Sequence, residues 1–150
     1  MAAGTAPIYV ATPKDAGVSI TAANVKNDGT GAGIGTDIFL LYTAGANGAW
    51  IGRVRFVPSG STASTAITPT VGRVYFSTQT SGATTNANTY RIDEVAISAT
   101  TADQATVQTG YFEVQVNSFL AAGHTLLVST HHVPAANTAI HAVLLGSGDY

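Results

Sequence analysis

The stretch that decides the fold is Trp50-Ile51-Gly52-Arg53-Val54-Arg55-Phe56-Val57. Read with a period of two, it sets Trp50, Val54 and Phe56 on one face and Arg53 and Arg55 on the other, because successive side chains of an extended chain point to opposite sides. Tyr111-Phe112-Glu113-Val114-Gln115-Val116 repeats the pattern. There Phe112, Val114 and Val116 turn inward, while Tyr111, Glu113 and Gln115 turn outward. One-sided burial of this kind belongs to antiparallel sheets.

Composition extends the reading to the whole chain of 150 residues, the size of one domain. Val and Ile number 23, against 8 for Leu and Met and 4 for Lys and Glu. β-Branched side chains pack well on a pleated surface and lose rotamer freedom on a helix. Short apolar runs punctuated by Gly, Asn, Asp, Ser and Pro predict strands over 8–12, 18–25, 37–43, 50–57, 71–78, 89–97, 105–116, 125–132 and 138–145. Asn27-Asp28-Gly29 and Ala46-Asn47-Gly48 are turns, and 120–124 is a tight corner. The connections 58–70 and 79–88 are uncharged, and the one candidate short helix is 100–104. The expectation is an all-β, antiparallel β-sandwich of the jelly-roll kind. Residues 15–150 form its single domain. Residues 1–14, with Pro7 and Pro13 flanking Ile8-Tyr9-Val10, form an N-terminal arm or edge strand, since proline lacks a ladder donor.

Charged residues make up 9% of the chain, against about 25% in an ordinary soluble domain. A surface so poor in charge is covered by a partner at little desolvation cost. The net charge is −2 and the basic residues are scattered, which argues against a nucleic-acid partner. There is no Cys, hence no disulfide or thiolate chemistry. Neither a secretion signal nor a continuous apolar span is evident, so the chain is expected to be made in a cytosol and to have no membrane partner.

Residues that could carry chemistry do not converge. His131 and His132 are adjacent and expected on opposite faces; His131 and His141 could meet only across neighbouring strands, and His124 stands apart. Asp93-Glu94 is the one adjacent carboxylate pair, and adjacency on a strand separates the two groups unless a bulge intervenes. Asp28 reads as a turn former and Asp37 as a cap. Gly29-Thr30-Gly31-Ala32-Gly33-Ile34-Gly35 lacks the following helix of a dinucleotide loop and reads as a flexible connection. No enzyme, metal or cofactor is expected.

Four strings suggest a family. Pro7-Ile8-Tyr9-Val10-Ala11-Thr12-Pro13-Lys14 leads to Ala22-Ala23-Asn24-Val25-Lys26-Asn27-Asp28-Gly29-Thr30-Gly31. Tyr42-Thr43-Ala44-Gly45-Ala46-Asn47-Gly48 then enters the Arg53/Arg55 strand, and Ala122-Gly123-His124-Thr125-Leu126-Leu127-Val128-Ser129-Thr130 follows later. Together they resemble small structural proteins encoded beside capsid genes in tailed bacteriophages. The resemblance implies a capsid decoration, or cement, protein: a jelly roll that trimerises on the outer surface of the virion capsid, binds the major capsid protein and stabilises the shell by mass action. Pro7, Ile8, Tyr9, Val10 and Lys14 of the arm, with Arg53 and Arg55, are the candidate subunit or capsid contacts. Apolar residues on both faces of 38–42 and 139–145 also call for a covering partner, and the trimer number comes from the resemblance. The alternative is a receptor- or carbohydrate-binding sandwich of a phage fibre. It would use exposed aromatics, for which Trp50, Tyr90 and Tyr111 are candidates, although the alternation of Trp50 with Val54 and Phe56 favours the core for it.

Overall fold

A computed structural model describes residues 10–60, 65–102 and 110–150. Ten strands follow one another: β1 Thr12–Ile20, β2 Phe39–Thr43, β3 Ala49–Gly60, β4 Thr65–Ile67, β5 Thr70–Ser77, β6 Thr89–Ile97, β7 Thr100–Ala102, β8 Phe112–Leu120, β9 Thr125–Thr130 and β10 Thr138–Asp149. They form sheet A in the order β1-β10-β3-β8, sheet B in the order β2-β9-β5-β6, and the small ribbon β4-β7. All strand pairings are antiparallel. The all-β antiparallel sandwich expected from composition and period is the fold observed.

The two sheets close on one core. Ile51, Val54, Phe56, Ile140, Ala142 and Leu144 from sheet A meet Phe39, Leu41, Val74, Leu126 and Val128 from sheet B. In β8, Val114 is buried and Phe112 and Val116 pack against the core, as alternation predicts.

Four features differ from the sequence reading. The strand expected over 18–25 lies earlier, as β1 over Thr12–Ile20, which crosses the boundary drawn at Lys14, and residues 8 and 9 of the strand expected over 8–12 lie outside the described residues. Pro13 is accommodated because β1 is an edge strand with β10 as its one ladder partner. The candidate helix at 100–104 is strand at Thr100–Ala102, which pairs with β4 inside the connection 58–70; residues 103 and 104 lie outside the described residues. The strand predicted over 105–116 begins at Phe112, its earlier part (105–109) falling outside the described residues. Trp50 leaves the core. Between Ile51↔Ser118 and Arg53↔Gln115, β8 spends one residue more than β3. This register shift lets both Ile51 and Val54 point inward, so Trp50 joins Arg53 and Arg55 outside.

The Gly-rich segment is packed rather than a loose connection. Residues 21–38 lie across the outer face of sheet B, where Ile38 and Ile34 cover Tyr75 and Leu127. Asp37 ties the segment by accepting the Ala32 and Gly33 N–H groups at 2.9 and 3.1 Å. At Gly31 an added Cβ would meet Thr84 Oγ1, Asp37 Oδ1 and Ile38 Cδ1 within 3.0 Å, so a larger residue there would have to displace these three side chains. Arg73 of β5, buried beneath, donates through Nη1 to the carbonyls of Asn24 (2.9 Å) and Lys26 (3.1 Å). Its Nε faces Glu94 at 3.4 Å. The second apolar face that seemed to need a partner at Ile38 is therefore covered within the chain.

At the far end, Tyr42 of β2 donates its hydroxyl to Asp149 of β10, which also accepts the Gly45 N–H at 3.0 Å and pairs with Lys14 at 3.8 Å. The Tyr42 hydrogen bond, followed by that of Gly45 and the Lys14 charge, holds the Asp149 carboxyl below its ordinary value against the opposing effect of burial. Burial first, then the bond to Asp149, pushes the Tyr42 phenol up. The sign is opposite at the two ends of the pH scale. The Asp149 contribution is complete above the unfolded carboxyl value of about 3.9 and is lost as pH falls through the lower folded value. The Tyr42 contribution is complete below about 10 and is lost as pH rises beyond it. Urea midpoints measured against pH should therefore fall off at both limbs. Asp149→Asn should flatten the acid limb, and Tyr42→Phe should flatten both.

Candidate functional site

Among the described residues no segment crosses the outer face of sheet A, in contrast to the strapped centre of sheet B. Register fixes its rows. Ser19, His141 and Val57 lie abreast, followed by Gly17, Val143, Arg55 and Glu113, then Leu145, Arg53 and Gln115, and last Trp50 and Phe119. Small residues on β1 leave Val143 and His141 standing clear.

Charge on this face is gathered into one cluster. Arg55 donates its Nε to Glu113 Oε1 at 2.7 Å, with Nη2 at the same distance, and its guanidinium stacks 3.9 Å above the Tyr111 ring. Arg53 Nε reaches the same carboxylate oxygen at 3.5 Å. At the end of the face, Phe119, 64% exposed, meets Trp50 edge-on at 5.1 Å and Tyr150 at 5.6 Å. Between the Trp50 row and the Arg53 row lies a hollow of about 220 Å³, lined by Trp50, Gly52, Arg53, Gln115, Asn117 and Gly146, with Leu145 behind. A larger, open hollow of about 300 Å³ lies at the opposite end, beside Ser59, Ala139 and His141.

The sequence-predicted contact residues divide. Arg53 and Arg55 come together on this face. Lys14 sits at the sheet's edge, engaged with Asp149. Val10 is half-buried, and the Ala11 N–H that follows it donates to the Asp149 carbonyl at 2.9 Å, so the chain docks on its own β10 from that point. Pro7, Ile8 and Tyr9 lie outside the described residues. Glu113, Phe119 and Asn117 were missed as site residues, and Trp50, a candidate only of the carbohydrate alternative, was favoured for the core. Gly52, an isolated glycine in a strand pattern, was the signal that the alternation breaks and that Trp50 turns outward.

No metal-binding set of three His, Asp or Glu groups exists among the described residues. β9 and β10 belong to different sheets, so His131 and His141 are not on neighbouring strands. The rings of His131 and His132, just past the end of β9, meet at 4.6 Å instead of facing apart. A bulge does intervene near Asp93-Glu94, but Glu94 is engaged by Arg73 and Arg91. Among the described residues no helix is long and apolar enough to cross a membrane.

Fold and face together define a two-sheet antiparallel sandwich with one broad face that no described segment crosses. No protein-family model, curated protein or solved structure matches the chain.

Proposed function

We propose that the protein is a non-enzymatic viral structural protein that decorates the outside of a bacteriophage capsid as a homotrimer, assembled in the host cytoplasm. The reading rests on the outer face of sheet A. Tyr and Arg, the residue types that dominate binding hot spots, stand there beside Val57 and Val143, and Arg55 is already neutralised by Glu113. Covering the part of this face from His141 to Arg55, away from Arg53, strips little uncompensated charge.

Edges are less suited to assembly. The pairings of β1, β8, β2 and β6, the four edge strands of the two sheets, each contain a register shift, and β1 also carries Pro13 and Lys14. These devices discourage addition of a further strand, so subunits and shell meet through faces. The pairing also supports a jelly-roll reading. β1 with β10, β2 with β9, β3 with β8 and β5 with β6 form one nested ribbon folded across two sheets.

Light scattering at micromolar concentration should give three times the 15.2 kDa chain mass; a monomer would refute the assembly. The protein should co-sediment with empty expanded shells of the capsid protein encoded beside it. Val143→Lys should weaken that binding at least tenfold, by placing an unpaired charge beside Arg55 in the contact, with the circular dichroism spectrum unchanged.

A further inference from the structure

The small hollow beside Trp50 has a chemistry that shell docking does not use. Its floor is formed where Gly52 and Gly146 bring backbones together: a Cβ on Gly52 would stand 2.5 Å from the Gly146 carbonyl oxygen. One wall is the indole of Trp50, steadied from the side by Phe119 and, beyond it, Tyr150. The rim carries the amides of Gln115 and Asn117 and the guanidinium of Arg53.

Two of these groups are held ready for a ligand. Two arginines share the single carboxylate of Glu113, and Arg55 takes it closely, which leaves Arg53 with the longer contact and a side chain 45% exposed. The cluster therefore carries an excess positive charge at the hollow's edge. Asn117 holds φ at 44°, a conformation glycine adopts without strain, and its amide has no hydrogen bond among the described residues. Asparagine takes this conformation more readily than other residues with a side chain, and here it sets its amide at the rim of the hollow.

We propose that this hollow binds the ring of an acidic saccharide, a uronate or sialate unit of a surface glycan. The sugar's C–H face would lie on Trp50, its carboxylate on Arg53 and its hydroxyls on Gln115 and Asn117. The volume, about 220 Å³ against about 300–1,000 Å³ for sites of drug-sized ligands, suits a single ring. An aromatic plate with a few placed polar groups is what fixes the orientation of a small ligand. The inference does not depend on shell binding, since the hollow lies at the end of the face away from His141.

Trp50 is the only tryptophan in the chain, so its fluorescence reports on this hollow alone. The intact protein is titrated with N-acetylneuraminic acid and with methyl glucuronide, with glucose and acetate as controls. A saturable emission change with a Kd of about 1 mM is expected for the acidic sugars, and at least tenfold weaker binding for glucose and for acetate. Arg53→Gln should weaken binding tenfold or more. Asn117→Gly, which relieves backbone strain and so preserves the fold, should weaken it several-fold, and Val143→Lys, which adds no competing carboxylate, should not weaken it. Glucose binding equally well would overturn the acidic class, and acetate binding equally well would overturn the saccharide. Unchanged emission up to ~10 mM, ten times the expected Kd, would overturn the site, as would full affinity in Arg53→Gln.

Discussion

Gly52→Ala is expected to destabilise the protein by about 3 kcal/mol or more, although the change adds one methyl group to a strand surface. The added carbon would stand 2.5 Å from the Gly146 carbonyl oxygen and 2.7 Å from that of Leu145. Those obstacles are backbone atoms of β10, the strand between β3 and β1, so relief requires sheet A to open at its centre. The Gly52 N–H also donates to Ser147 Oγ at 3.0 Å, a bond that such a shift breaks. Two neighbours calibrate the effect. At Gly146 an added Cβ meets nothing within 4 Å, and the cost of alanine there is the left-handed φ of 65° alone, about 1–2 kcal/mol. Asn117→Gly should be neutral or slightly stabilising. Urea midpoints of the three variants should therefore rank Gly52→Ala lowest, then Gly146→Ala, then Asn117→Gly. An alanine at 52 as stable as the parent would mean that the strands do not approach as described.

Arg73→Met should cost about 2–4 kcal/mol and loosen the strap across sheet B. Methionine keeps much of the buried aliphatic stem, so the loss isolates the guanidinium. Without it the carbonyls of Asn24 and Lys26 lose their shared donor. Glu94 loses one partner but keeps Arg91 at 2.8 Å, and, being 44% exposed, is not stranded as a buried charge. The strap keeps its backbone ties, from the Asn24 N–H to the Thr130 carbonyl at 2.8 Å and from Gly31 and Ile34 to the carbonyls of Thr84 and Gly82, with local bonds from Asn24 to Thr30 and Lys26 and from Asp28 to Thr30, so the loss is centred on residues 24–26. Hydrogen exchange separates this outcome from global loss of stability. Amides of residues 21–38 and of the outer face around Tyr75 and Leu127 should lose protection first, while the β3 and β10 ladder keeps its own. Uniform loss across both sheets would show that Arg73 is not a local tether.

Much of the architecture is written locally. The scarcity of Lys, Glu, Leu and Met beside abundant Val and Ile, and the alternation in Phe112–Leu120, are properties of single strands, because side-chain direction in an extended chain needs no knowledge of neighbours. Turn chemistry is equally local: Asp28 accepts from the Thr30 N–H at 2.9 Å, and Gly123 takes a φ of 72° in the corner before β9. The candidate face was half visible for the same reason, since Arg53, Arg55, Glu113 and Gln115 all read as outward.

What the tertiary structure decided is where locality fails. A register shift belongs to a pair of strands, so the reversal at Gly52 that carries Trp50 from the predicted core to the surface depends on where β8 and β10 lie. Glu113 meets Arg55 through pairing between strands 58 positions apart in sequence, and nothing in either strand specifies that partner. β9 and β10 follow each other in the chain yet belong to opposite sheets, which separates His131 from His141. The burial of Ile38 was apparent from its character, but only the packed chain shows that its cover is the strap pinned by Arg73 and not a second subunit. Period and composition set the class of fold; pairing across long separations, whose cost is the entropy of closing the intervening chain, sets which residues share a face.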